Sequence, residues 1–176
     1  MAADAFAKPF AFPEPTTPAS SRNEVFLRYL AYFRSRLVIR LTELPPTELR
    51  RSRLPSGWTP LELLKHLQHV EMRWLEWGFE GRNVTDPWAD SIDGRWHVAD
   101  EETLAGLVAA LAAQAERSSA IIEARDLAAI GQPGDRWDGD DPASLERILF
   151  HLLQEYARHV GHLDIVAELA GGSTGE

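Results

Sequence analysis

Apolar residues recur three and four positions apart along most of this chain and show almost no strand-like alternation. Phe26, Leu27, Leu30, Phe33, Leu37, Leu41 and Leu44 draw one stripe along a first helix. It is expected from Glu24 to about Leu44, with Asn23 as its cap and Pro45-Pro46 as its stop. A second stripe, Leu63, Leu67, Val70, Trp74 and Trp77, follows Thr59. That threonine, with Pro60 at the first helical position and Glu62 three residues on, reads as a capping box, and Gly81 suits the far end. Glu101 to Arg125, rich in Ala and Leu, reads as a third helix capped by Asp100. Asp141 and Pro142 open a fourth, which carries Leu149, Leu152, Tyr156, Val160 and Leu163 and ends near Gly171-Gly172.

The connections are uneven. Residues 47–57 form a short link, whereas 82–100 make a long irregular loop with Pro87, Gly94, Trp88 and Trp96, a candidate lid or pocket wall. A second loop, 127–141, holds Gly131, Pro133, Gly134 and Gly139. Residues 1–20 contain four prolines and read as an extended arm. Phe6, Phe10 and Phe12 mark part of that arm as lying on the domain or on a second subunit. Residues 21–176 then form one all-α domain, a four-helix bundle.

Composition narrows the function. The 176 residues are 44% hydrophobic and 26% charged, as in a soluble globular domain. A net charge of −9 without any basic run argues against a nucleic-acid partner. The chain lacks a long apolar run that would span a membrane, and its first residues do not read as a secretory signal, so a cytoplasmic location is expected. Cysteine is absent. A metal would therefore be held by His, Asp, Glu or water, and a reactive thiol would have to arrive with a partner or substrate.

One segment concentrates the chemistry. HLLQEYARHVGHLD, from His151 to Asp164, holds half of the six histidines. On a helical wheel with His151 at zero, His162 falls near about 20°, Glu155 near about 40° and His159 near about 80°, bordering the apolar face. Glu155 and His159 are four apart and point the same way, the spacing by which one helix offers two ligands to one metal. A third ligand must come from elsewhere. His66 lies at the edge of the second helix's apolar face, and His69 falls about 60° further out. His66, Glu155 and His159 would make a His₂Glu set with open positions, which suits a catalytic zinc and is also acceptable to nickel, iron, cobalt or manganese. The plainer alternative is a surface Glu–His pair worth a few tenths of a kcal/mol beside a core-edge histidine.

Two strings carry a resemblance. PSGWTPLELLKHLQHVEMRW, with His66-Leu67, Glu71 and Trp74, and LLQEYARHVGHLDIVAELAGGSTGE, with Glu155, His159, Gly161, His162 and Asp164, resemble the DinB-like superfamily of metal-binding four-helix bundles over about residues 22–175. The resemblance implies an up-down-down-up bundle, possible homodimerisation, and a divalent metal, usually zinc or nickel. Many DinB-like members use three histidines. Glu155 departs from that pattern and is similar to the branch of mycothiol-dependent maleylpyruvate isomerases and mycothiol S-transferases. The implied activity is a metal-dependent S-transfer or isomerisation with a low-molecular-weight thiol such as mycothiol and an electrophilic second substrate. His66, Glu155 and His159 would act through the metal. His162 would orient Glu155 or donate to the thiol, while Arg158 and Asp164 would clamp polar groups of the cofactor. A metal-dependent hydrolase and a non-enzymatic dimeric binding protein are the alternatives on the same bundle.

Overall fold

The computed structural model describes Phe6 and residues 9–172; positions 1–5, 7 and 8 of the expected arm and the tail 173–176 lie outside the described residues. Four helices carry the fold: α1 (Arg22–Glu43), α2 (Pro60–Glu71), α3 (Leu104–Ala124) and α4 (Leu145–Leu169). A π-helical stretch, Met72–Phe79, continues α2.

The side-chain pairings fix the helix directions. Arg22 pairs with Glu146, Phe26 packs on Phe150, and Arg40 pairs with Asp164, so partners advance together along α1 and α4 and the two helices are parallel. Lys65 meets Glu102 near the start of α2 and α3, and Glu80 meets Arg125 near their ends, so these two are parallel as well. His66 faces His159 and Trp74 faces His151, so α2 opposes α4. The bundle is up-down-down-up, as the resemblance implies.

The core is the meeting of the four stripes. Leu30, Leu37, Leu41, Leu63, Leu67, Leu111, Ile122, Leu149, Leu152 and Leu163 are fully buried. Each contributes roughly 1.5–3 kcal/mol of burial free energy. At the centre, one polar side chain from each helix enters the same network. Arg34 of α1 forks onto Glu71 of α2 at 2.7 and 2.6 Å, and Ser118 of α3 donates to Glu71 at 2.7 Å. The Tyr156 hydroxyl of α4 donates to the other Glu71 oxygen. Of the four, only Tyr156 shows in the apolar periodicity; Arg34, Glu71 and Ser118 do not.

Several boundaries differ from expectation. Ser21, not Asn23, caps α1 and accepts from the Glu24 amide at 3.1 Å. Thr103, not Asp100, caps α3. Ser144, not Asp141, caps α4, because the second loop returns to the helix start: the Leu145 and Glu146 amides donate to the carbonyls of Ala129 and Leu127, each at 2.9 Å. The long first loop contains a small hairpin, β1 (Ser91–Ile92) against β2 (Arg95–Trp96). Its turn residues Asp93 and Gly94 both have positive φ, 51° and 74°, as a type I′ turn requires.

α2 is buried nearly all round. His69, expected on its outer side, is covered, with Nδ1 3.0 Å from the Lys65 carbonyl, while Trp74 and Trp77 are only half-buried. The stripe was counted on α-helical periodicity. The π-helical turn, in which the Glu80 amide reaches back five residues to Leu75 at 3.0 Å, shifts that count. The described part of the arm lies along α1: the Phe12 ring meets Tyr29 and Tyr32 edge-on, and Phe6 joins the core. No helix among the described residues is long and apolar enough to cross a membrane.

Candidate metal centre

The opposed helices α2 and α4 bring three donor groups together. His66 of α2 and Glu155 and His159 of α4 each offer one ligand atom, and all three atoms lie within 4.8 Å of one another. His159 Nε2 is 3.1 Å from Glu155 Oε2, and His66 Nε2 is 3.9 Å from the same oxygen. Around one ion with bonds of about 2.0–2.2 Å, tetrahedral donors sit roughly 3.3–3.6 Å apart. The observed spacings bracket that value, and two imidazole nitrogens with one carboxylate oxygen are a donor set that a divalent metal accepts. Hydrogen bonds from His159 and then His66 hold the Glu155 carboxyl well below its ordinary range, against the opposing effect of burial.

The hairpin supplies what orients this group. Asp90, at its foot, lies 3.1 Å from His66 Nδ1, which turns Nε2 toward Glu155. The same carboxylate takes two bonds from Arg73, at 2.6 and 3.1 Å. Burial works to raise its pKa, but the bonds from His66 and Arg73 outweigh burial and bring it down to about 2. Trp96, from the far strand, stacks on His66 with ring centres 4.1 Å apart and meets His159 edge-on. The backbone bond from His97 to Asp90, 2.8 Å, ties the two strands so that both residues reach the same imidazole. By contrast, His159 Nδ1 is buried with no hydrogen-bond partner among the described residues.

The remaining expected residues divide. His162 flanks the group on one side, its ring 5.6 Å from His159 and 6.4 Å from Trp58. His151 flanks it on the other, with Nε2 3.5 Å from Glu155 Oε1, so the contact with Glu155 expected of His162 is made by His151. Burial lowers the pKa of both flanking histidines; at His151 the Glu155 charge opposes it, while at His162 the charges of His159 and Arg158 add to it. Arg158 is exposed on α4. Asp164 does not join the cluster: it faces α1, where Arg40 Nε donates to it at 2.8 Å. Its place in the string serves the α1–α4 contact.

A cavity of about 490 Å³ opens beside the cluster, lined by Ser56, Trp58, Glu62, Arg95 and Trp96 among others. Trp96 is shared between the cavity wall and the cluster. Trp96 lies on the loop expected as a lid or pocket wall and does line the cavity, whereas helix periodicity reports neither Asp90 nor the stacking of Trp96 on His66. The Asp93-Gly94 dipeptide was the available signal, since it marks a hairpin that would hold its flanking residues together.

A family model described as Mycothiol-S-transferase matches residues 25–172. No curated protein and no solved structure matches the chain. Helix order, the histidine and glutamate strings and this match agree: the chain belongs to the mycothiol S-transferase family, a DinB-like family.

Proposed function

We propose that this protein joins the sulfur of mycothiol, or a closely similar low-molecular-weight thiol, to an electrophilic carbon in a metal-dependent reaction. The observation that carries the reading is the convergence of His66 Nε2, His159 Nε2 and the Glu155 carboxylate beside a tryptophan-walled cavity, in a chain without cysteine. His66, Glu155 and His159 would hold the divalent ion, with zinc the first candidate by donor chemistry and nickel or iron acceptable. When bound, such an ion supplies a Lewis acid that favours the thiolate form of a coordinated thiol at neutral pH.

The chain's own residues do the rest. Asp90 fixes the ring of His66, as a carboxylate behind a ligating imidazole does. Trp58 and Trp96 give flat apolar walls against which a sugar-bearing thiol can lie, and Ser56, Glu62 and Arg95 offer polar groups at the rim. His162, whose ring lies near those of Trp58 and His159, would hydrogen-bond with a thiol entering from this cavity.

The test is a thermal-shift series on metal-loaded protein against mycothiol, bacillithiol, glutathione and coenzyme A. Binding to the folded state raises the melting temperature by linkage, so mycothiol alone should raise it substantially. His159→Ala should lose both the metal and that response. Full metal occupancy in the variant would remove the ligand assignment; equal responses to all four thiols would remove the thiol assignment.

A further inference from the structure

The side of the cluster away from the cavity carries a cation with no counter-charge among the described residues. Arg136 sits in a short 3₁₀ turn, Asp135–Trp137, within the second loop. Its guanidinium lies over the Trp74 ring at 3.9 Å from the centroid and 6.0 Å from that of Trp77. Buried and half-buried arginines elsewhere in the bundle meet carboxylates: Arg34 with Glu71, Arg40 with Asp164, Arg73 with Asp90 and Arg53 with Glu48. Arg136 has no such partner among the described residues, and its Nε is buried without a hydrogen bond. Burial, and secondarily the like charge of Arg73, push its pKa down, which is the signature of an uncompensated cation.

The surroundings are built to hold it there. A Cβ at Gly78 would stand 3.3 Å from Arg136 Cγ and 3.2 Å from the Arg73 carbonyl, so the glycine makes room for the arginine stem. Trp137, next in sequence, is buried and donates from its indole to the Gln132 carbonyl at 2.8 Å, pinning the turn. The position is also close to the chemistry. Trp74, beneath the guanidinium, meets the His151 ring at 4.6 Å, and His151 in turn is 3.5 Å from Glu155.

We propose that Arg136, backed by Trp74 and Trp77, binds a carboxylate of the electrophilic substrate, and hence that the enzyme acts on electrophiles bearing a carboxylate group. This rests on the transferase reading above and adds the substrate class. Trp74 covers one face of the guanidinium, with Trp77 further off, and the planar fork of N–H donors matches a carboxylate. The chain as a whole carries −9, which disfavours an anionic substrate, so a local unpaired cation is what would draw one in. The thiol then enters from the Trp58–Trp96 side and the electrophile from the His151–Trp74 side, with Glu155 between them.

Isothermal titration of the metal-loaded protein with succinate, a non-reactive dicarboxylate, tests this, with uncharged succinamide and inorganic phosphate as comparison arms. Succinate should bind, succinamide should not, and Arg136→Gln should weaken succinate by tenfold or more, with Arg136→Lys recovering part of the affinity. Unchanged metal content and an unchanged circular dichroism spectrum in Arg136→Gln would show that the variant is folded. His159→Ala should still bind succinate more tightly than Arg136→Gln does. Equal succinate affinity in wild type and Arg136→Gln, no succinate binding to wild type, or binding of phosphate alone would overturn the proposal. Binding lost in His159→Ala but kept in Arg136→Gln would also overturn it while leaving the metal reading intact. Metal retained in His159→Ala would do the reverse.

Discussion

The Asp90 carboxylate stands between Arg73 and His66, taking 2.6 and 3.1 Å bonds from the guanidinium while lying 3.1 Å from His66 Nδ1. It therefore links the hairpin to the imidazole that faces Glu155. Carboxylates behind ligating histidines typically contribute about 10–100-fold to metal affinity. Asp90→Asn keeps the shape and removes the charge. It should weaken zinc by that factor in a competition titration with a chelating dye, with the helical spectrum preserved. Wild-type affinity in the variant would show that Asp90 serves only Arg73.

The network around Glu71 makes a separate prediction about stability. Arg34 and Glu71 are almost completely buried, and Ser118 and Tyr156 complete the carboxylate's bonds. Removing one partner of a buried pair leaves a charge without compensation and costs about 3–5 kcal/mol. Glu71→Gln should therefore lower the urea midpoint sharply. Replacing both charges, as in Arg34→Met with Glu71→Leu, should cost less than Glu71→Gln alone, because neither charge is then stranded. A double variant weaker than the single one would mean that the network's hydrogen bonds, rather than charge pairing, hold the centre together.

The same carboxylate sets an acid limb. Burial raises the Glu71 pKa, but the charge of Arg34 and the bonds from Arg34, Tyr156 and Ser118 outweigh burial and leave it lowered. The folded value is thus below the unfolded one, near the ordinary glutamate value of about 4.3. Its contribution is present above that pH and declines as pH falls through the folded value. Urea midpoints measured from pH 7 down to pH 3 should drop below about pH 4 in wild type. The drop should be shallower in the Arg34→Met, Glu71→Leu variant; identical slopes would assign the acid limb to other carboxylates.

What was legible in the sequence follows from which interactions are local. The capping box at Thr59 and Glu62 is formed within four residues, and the structure contains both of its bonds. The Glu155–His159 spacing is likewise set by one helical turn, and His66 needed only the face of a single helix. Asp90, Trp96 and Arg136 depend on loops folding back over α2, and no periodicity reports that. His69 reads as outward-facing because the pattern does not show what covers it, and in the π-helical stretch Trp74 is half-buried against His151 and Trp77 half-buried against Trp88. Caps misread for a related reason: Asn, Asp, Ser and Thr are all good caps, and tertiary partners choose among neighbours.

Asn23 shows that choice most directly, and it can be tested. Ser21 already caps α1, and the Asn23 side chain crosses to α3, donating to the carbonyls of Ile122 at 2.6 Å and Arg125 at 3.0 Å. These belong to the end of α3, where the last carbonyls have no partner within their own helix. In an isolated helix, Asn→Ala would be favourable by up to about 0.7 kcal/mol on propensity. Here it removes two bonds, each with a net contribution of about 0.5–1.5 kcal/mol. The bonds win, so Asn23→Ala should destabilise the protein by about 1 kcal/mol in urea titration. Amide hydrogen exchange should rise at the end of α3 while the start of α1 keeps its protection through Ser21. A neutral or stabilising substitution would mean that helix propensity dominates and that the α1–α3 clasp carries no stability.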